Sequence, residues 1–356
     1  MKQIIFITVL FSVLSAALSA EAADVYVSAP TFSPYYAGKV KSEVLNEALA
    51  ELNYVRWLVG VPNNVILNDD YTNKAQHGAV LLDAIDTITH TPGKPSDMSE
   101  FFYKLGYEAT THGNLSFEQI QTTRYINGIK SSSKISGSMT FSKSIKSLMD
   151  DSDPRNIRNV GHRRWFMNPR LKRVGFGIST RLGYVVAYVI EEFTKKKVLN
   201  QKEYAAYQRW LKWPVNDSFI SWPTSKHNHP LTYFNRETAW SVTLNHDVFE
   251  AIKNNSVNIK LTRLNDNKSW NFSKKYGSDG EFYISDNKIA YDECLIFRPN
   301  NISKYNGGEK WLVEISGLNR KSGESSKISY TVKFTDEKTG FDFDIPLPYS
   351  ERYKKF

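Results

Sequence analysis

The chain reads as α+β, with a helix-bearing first part and an all-β second part, and three observations carry that reading. Apolar residues recur at helical spacing early on, first Leu45, Ala48, Leu52, Val55 and Val59, then Tyr71, Ala75, Gly78, Leu82 and Ile85. Val174, Phe176 and Ile178 alternate with Gly175, Gly177 and Ser179, the period of a half-buried strand whose small face something presses against. From Thr238 onward, short alternating segments separated by Asn, Asp and Gly clusters replace the helical pattern.

At 356 residues the chain is long for one core, which predicts two domains. Hydrophobic residues at 41% and charged residues at 23% are an ordinary globular mix, and 13% aromatics argue against a disordered chain. Cys294 stands alone, so no intrachain disulfide forms and stability must come from burial. The formal net charge of +9 favours anionic surfaces such as cell-wall polymers or lipid headgroups. No basic run with interleaved aromatics reads as a nucleic-acid motif, so nucleic acid is not an expected partner.

Residues 1–22 read as a secretion signal. Lys2 supplies the positive start, an apolar run follows over 4–18, and Ala20-Glu21-Ala22 offers a small-x-small cleavage site. No other stretch reaches spanning length, so an exported protein with no transmembrane anchor in the mature chain is expected. The expected order is a signal peptide over 1–22, a leader over 23–41, a first domain over 42–200, a helix and linker over 201–237, a β-sandwich over 238–340 and a tail over 341–356.

The first helix is expected over 42–59, with Ser42 as N-cap and Gly60 and Pro62 as its stop. The second is expected over 70–89, with His77 beside its stripe, packed or half exposed. His90 follows, and Thr91-Pro92 pushes its backbone toward an extended conformation. Asp97 with Glu100 reads as a capping box for a short helix to about residue 109, and Ser116 with Gln119 as a second for a helix through 125. Residues 131–138 are serine-rich and read as flexible. Residues 141–150 are amphipathic again, and they deliver Asp150, Asp151 and Asp153 to the stretch that follows. There Pro169 ends the helical turn carrying Arg163 to Phe166, so His162 sits just ahead of a turn that feeds the strand over 174–179.

A second strand is expected over 184–190, joined to the first by Leu182-Gly183. A helix over 204–211 and a linker rich in Pro, Trp, Asn and Ser lead into the second part. There Trp240-Val242-Leu244, Val257-Ile259-Leu261, Phe282-Ile284, Leu295-Phe297, Trp311-Val313-Ile315 and Ile328-Tyr330-Val332-Phe334 alternate. That many strands in about a hundred residues predict an immunoglobulin-like all-β sandwich.

The run GHRRWFMNP over 161–169, followed by VGFG over 174–177, resembles a signature of the CAP superfamily in its bacterial form. That superfamily contains the cysteine-rich secretory, antigen 5 and pathogenesis-related proteins. Upstream, LNEALAELNYVRWLVGVP over 45–62, AQHGAVLL over 75–82 and THTP over 89–92 are similar to its opening segments, so the resemblance spans about 41–192. It implies an α-β-α sandwich (CAP-like) for the first domain, with two histidines and two acidic residues around one cleft. His90 and His162 match the histidines. The family's Gly-Glu-Asn-Leu segment falls on His112-Gly113-Asn114-Leu115, so Gly113 stands where the family has a glutamate. Asp150 or Asp151 takes the other acidic position. The cleft implied is thus lined by His90, His162, Asp150, Asp151, His112 and Asn114.

Two histidines with at most one carboxylate are a poor set for a tetrahedral zinc site, which wants three or four protein ligands, although His112 could supply a third. A divalent metal such as zinc held by His90 and His162 would therefore bind weakly. No His-Glu-x-x-His and no Gly-x-Ser-x-Gly occurs, and Cys294 lies between apolar residues as inert filling. The expected function is extracellular binding of a small apolar or anionic ligand, lipid- or sterol-like, or of a cell-surface component, without catalysis. One alternative is a secreted hydrolase using His162 with an Asp from 150–153; another is a structural envelope or adhesion protein with a vestigial cleft.

Overall fold

The computed structural model describes residues 25–126, 129–190, 212–215, 217–253, 256–286, 289–290 and 292–337. The signal peptide expected over 1–22, the helix expected over 204–211 and the tail over 341–356 lie outside the described residues. The chain forms two compact units. The first comprises Met1–Leu49, Leu67–Ser144 and Val174–Tyr188, and the second Ala50–Ile66, Ile145–Arg173 and Val189–Phe356. Five α-helices occur among the described residues: α1 (Ser42–Leu58), α2 (Asp69–Ile85), α3 (Glu100–Thr111), α4 (Phe141–Asp150) and α5 (Gly161–Phe166).

The expected fold class is corrected. Of the described residues 36% are strand and 23% helix, spread over several small sheets, so the chain is mostly β and is not an α-β-α sandwich followed by an all-β domain. One cause is local. Where a helix was expected over 116–125 and a flexible run over 131–138, Gln119–Ile126 and Ile129–Gly137 form an antiparallel ribbon. Ile120, Thr122, Thr123, Tyr125 and Ile126 crowd a helix and suit a pleated strand, and that preference outweighs the Ser116-Gln119 capping pattern.

In the first unit a four-stranded sheet runs Ile66–Leu67, Arg173–Ser179, Tyr184–Tyr188, Gly113–Phe117. Its last three strands are antiparallel, with Val186 opposite both Gly177 and Leu115. The alternating glycines have a concrete reason. A Cβ at Gly175 would lie 2.1 Å from the carbonyl carbon of Tyr71, and one at Gly177 would lie 2.2 Å from that of Ala75. The backbone of α2 therefore rests on the strand, as only glycine permits. Gln76 completes the contact: its Nε2 donates to Ile178 O (2.9 Å) and its Oε1 accepts from Ile178 N (2.9 Å). The bulky residues serve the other face, where Phe176 meets Phe141 at 5.6 Å between ring centroids.

Helix α2 is capped by Asn68, whose side chain accepts from Tyr71 N, and it stops four residues earlier than expected at Asp86, in the left-handed region at φ 47°. Helix α3 is capped by Ser99, which accepts from Phe102 N, and not by the Asp97–Glu100 box. Small residues let these two helices approach: a Cβ at Gly78 would sit 3.1 Å from that of Ala109.

In the second unit one sheet runs Phe219–Trp222, Trp240–Leu244, Cys294–Pro299, Gly280–Ser285. A six-stranded sheet runs His229–Pro230, Ser325–Thr335, Lys310–Asn319, Asn258–Arg263, Lys268–Ser273, Gly277–Ser278. Rings join the two sheets, Trp240 to Trp311 at 5.9 Å and Phe297 to Phe272 at 5.1 Å. All four are fully buried, and large apolar rings in that setting carry much of a core's stability. Cys294 is buried with them, and burial pushes its thiol pKa up, away from reactivity.

Candidate functional site

The strongest cluster of chemistry lies in the second unit, where α4 ends and α5 begins. Asp151 follows α4 in the left-handed region (φ 50°), and the chain turns over residues 153–160 into α5. Val160, the residue ahead of α5, is also left-handed (φ 40°) and offers no side-chain cap. A β-branched residue is strained there, at a cost of about 1–3 kcal/mol. Its side chain is held among Ile157, Ala239, Cys294 and Ile296, which fixes the turn.

Asp151 supplies the missing cap from eleven residues away. Its Oδ2 accepts from His162 N (3.0 Å) and Arg163 N (3.3 Å), the exposed donors of the first turn. Its Oδ1 accepts from His162 Nδ1 at 2.8 Å. The Asp151 side chain is 1% exposed and that of His162 is 17% exposed, so the carboxylate is sealed while the imidazole keeps an edge outward. Burial disfavours the charged imidazole. The Asp151 hydrogen bond and charge, with the charge of Asp153, outweigh that and raise its pKa above the ordinary 6.5.

The arginines of the same motif hold the frame. Arg163 is fully buried: Nε donates to Met149 O (2.6 Å), Nη2 to Asp150 O (2.6 Å), and Nη1 to Ala239 O (2.8 Å) and Ser241 Oγ (3.0 Å). Arg164 donates to Ser285 Oγ (2.7 Å), Asp286 O (2.9 Å) and Ile289 O (2.7 Å), and also to Asp292 O. Burial lowers the pKa of both guanidiniums. From α1, Arg56 holds the far end of the stretch, with Nη1 donating to Phe166 O (2.6 Å) and Asn168 O (2.9 Å). Its own pKa is lowered to about 9 by burial. A second buried network follows: Arg170 Nη1 donates to Asp292 Oδ2 (2.8 Å), and His246 Nδ1 meets Asp292 Oδ1 at 2.6 Å.

Asp150 accepts from Ser152 Oγ and Thr238 Oγ1, so it closes the loop while its neighbour Asp151 holds the imidazole. His90 belongs to the first unit, is exposed, and its Nδ1 donates to Thr110 O at 2.7 Å. His112 is buried, with Nδ1 on Glu108 O (2.7 Å) and its ring stacked on Tyr188 at 5.7 Å. Asn114 is buried in the sheet opposite Ala187. No glutamate fits at Gly113, where a Cβ would lie 2.6 Å from Ala109 O. The pairing the structure establishes among the named residues is His162 with Asp151. Among the described residues no three His, Cys, Asp or Glu side chains gather as a metal site requires.

Sequence reasoning missed the roles of Arg163 and Arg164 and the Arg170–Asp292–His246 network. Two adjacent arginines ahead of Trp165-Phe166-Met167 were the available signal, since charge set into an apolar run has to be paired once buried. Among the described residues no helix is long and apolar enough to cross a membrane. No family model, curated protein or solved structure matches the chain.

Proposed function

We propose that this is an exported protein that binds a small anionic or amphipathic ligand, lipid-like in class, with His162 as the polar anchor and Asp151 holding its ring. The observation that carries the reading is a partly exposed imidazole tied at 2.8 Å to a sealed carboxylate. Such a ring has a fixed tautomer and orientation, and its raised pKa favours the cation that an acidic headgroup seeks. The net charge of +9 favours the same ligand class. The resemblance of residues 161–177 to the CAP signature supports that class too, because relatives bind sterols and lipids; it carries no weight for the fold. His90 is not needed. The surrounding arginines serve as fixed supports, which is what a preorganised anchor requires.

The same geometry favours one second reading. A carboxylate on Nδ1 also prepares a histidine as general base, as a hydrolase would use it. One set of measurements separates the two: thermal stabilisation and calorimetry with a fatty acid and an alkyl phosphate, and turnover of a chromogenic ester, on wild type and His162→Gln. The binding reading expects ligand-dependent stabilisation that weakens about tenfold in His162→Gln and falls as pH rises through the imidazole's pKa. Undiminished binding in the variant overturns it. Ester turnover abolished in the variant favours the hydrolase.

A further inference from the structure

The hairpin joining the strands Lys268–Ser273 and Gly277–Ser278 ends in a turn that carries Lys274, Lys275 and Tyr276, all exposed. Ser273 fixes that turn. Its Oγ accepts from Lys275 N and Tyr276 N, both at 3.2 Å, and its N–H donates to Ser278 Oγ at 3.0 Å. Lys274 Nζ then lies 5.8 Å from the ring centroid of Phe282 and 5.7 Å from that of Tyr283, on the strand Gly280–Ser285. The guanidinium of exposed Arg158, from the turn ahead of α5, stands 5.7 Å from the same Tyr283 centroid. Two cations from distant parts of the chain thus meet at one ring and share one small patch. Tyr283 packs against the buried cluster that holds Ile157 and Val160, so the patch has a fixed floor. Lys275 extends it, with Nζ 4.9 Å from the centroid of Tyr276.

These cations are held by ring faces and not by acids. Among the described residues no carboxylate comes within ion-pair reach of Arg158, Lys274 or Lys275. The acids beside them are engaged elsewhere. Glu281 pairs with Arg298 Nη2 (2.7 Å), Asp279 accepts from Asn271 N (2.7 Å), and Asp153 accepts from Arg155 N (3.0 Å) and Asn156 Nδ2 (2.7 Å). The patch keeps a net positive charge of closely spaced groups, which suits a partner with an anion on every repeat. The rings decide between such partners. A nucleic acid needs free aromatic faces in succession on which its bases stack, and a bilayer needs apolar groups free to enter it. Here Phe282 is buried, Tyr283 carries two cations and Tyr276 carries one. Recognition is left to charge, offered by lysine as a point and by arginine as a fork, both suited to phosphate.

We propose that the patch of Arg158, Lys274 and Lys275 binds a linear phosphate-bearing polymer, independently of any ligand at His162. The test measures binding of the full chain to linear polyphosphate by calorimetry, at about 50 mM and about 200 mM salt. Three phosphate contacts predict an affinity that falls roughly 20- to 40-fold over that range. At the lower salt Lys274→Glu/Lys275→Glu should weaken binding about tenfold or more, and Arg158→Gln about threefold, with each melting temperature near wild type. The control is Lys327→Glu/Lys333→Glu, the same change of charge on two exposed lysines of the strand Ser325–Thr335. It should weaken binding by less than about threefold, because those lysines lie on another strand and act only through long-range, screened charge. Equal losses in the two double variants overturn the proposal, since overall charge and not the patch is then the cause. Wild-type binding by folded Lys274→Glu/Lys275→Glu also overturns it. Single-stranded DNA bound more tightly than polyphosphate replaces the polymer with a nucleic acid. Binding to phosphatidylglycerol vesicles without binding to soluble polyphosphate replaces it with a membrane.

Discussion

Each compact unit buries a carboxylate that ties separate parts of the chain together, and the two are partnered differently. In the first unit Asp83 accepts from Ser179 Oγ (2.6 Å), Leu182 N (2.9 Å) and Arg181 Nε (2.6 Å). In the second Asp151 accepts from two backbone N–H groups and the imidazole of His162. The first cluster joins α2 to the turn after the strand Arg173–Ser179, and its cation is an arginine. The second caps a helix, and its cation is an imidazole whose pKa the buried carboxylate raises above the ordinary 6.5. One device thus serves as a fixed fastening and the other as a fastening with a proton-dependent, partly exposed group attached. That difference places the candidate function at Asp151–His162 and not at Asp83.

The largest expected effect lies on the fixed side. Asp83→Ala leaves a hydroxyl, a backbone N–H and a half-exposed guanidinium without their acceptor, and chemical denaturation should show a loss of about 3 kcal/mol. Asp151→Ala uncaps α5 and frees the imidazole, for a smaller loss of about 2 kcal/mol. If the order of these two is reversed, the second cluster is the more structural and the contrast drawn above fails. His162→Gln should cost about 1 kcal/mol or less by the same measurement, because glutamine can still donate toward Asp151.

The pH dependence sharpens the contrast further. Burial raises the pKa of Asp83 above 3.8, its hydrogen bonds and Arg181 only partly opposing, and the pKa of His162 lies above 6.5. Both folded values exceed the unfolded ones, so each group adds stability at low pH that is lost as pH rises through its folded pKa. For Asp83 the loss begins near pH 3.8, and for His162 near pH 6.5. The stability advantage of wild type over His162→Gln should therefore be largest and constant below about pH 6 and shrink as pH rises above it, with wild type falling toward the variant. Ser179→Ala should cost about 1 kcal/mol, independent of pH above 6.

Much of the local structure was legible, and the reasons are specific. The stripe from Leu45 to Val59 marks α1, found at Ser42–Leu58, and Phe141 to Met149 marks α4, found at Phe141–Asp150. The alternation of Gly175 and Gly177 foretold a close approach, and α2 supplies it. Trp240, Val242 and Leu244 marked the strand Trp240–Leu244. Tertiary choices were not legible. Helix caps compete among neighbours, so Ser99 displaced Asp97 in a contest the pattern alone does not decide. Residues 116–138 carry polar spacing that mimics a helix start, while their β-branched content favours the ribbon. Asp151 acts through space on a helix eleven residues on, and Arg163 and Arg164 act on strands over seventy residues away, which no local window contains.

The most direct test is the titration of the His162 imidazole, followed by its ring proton and nitrogen resonances in wild type and in Asp151→Asn. A wild-type curve centred above 6.5, falling toward or below that value once Asp151 is neutral, with Nδ1 as the protonated nitrogen of the neutral ring, is the result predicted here. An ordinary titration unaffected by Asp151→Asn, or a neutral ring protonated on Nε2, contradicts it.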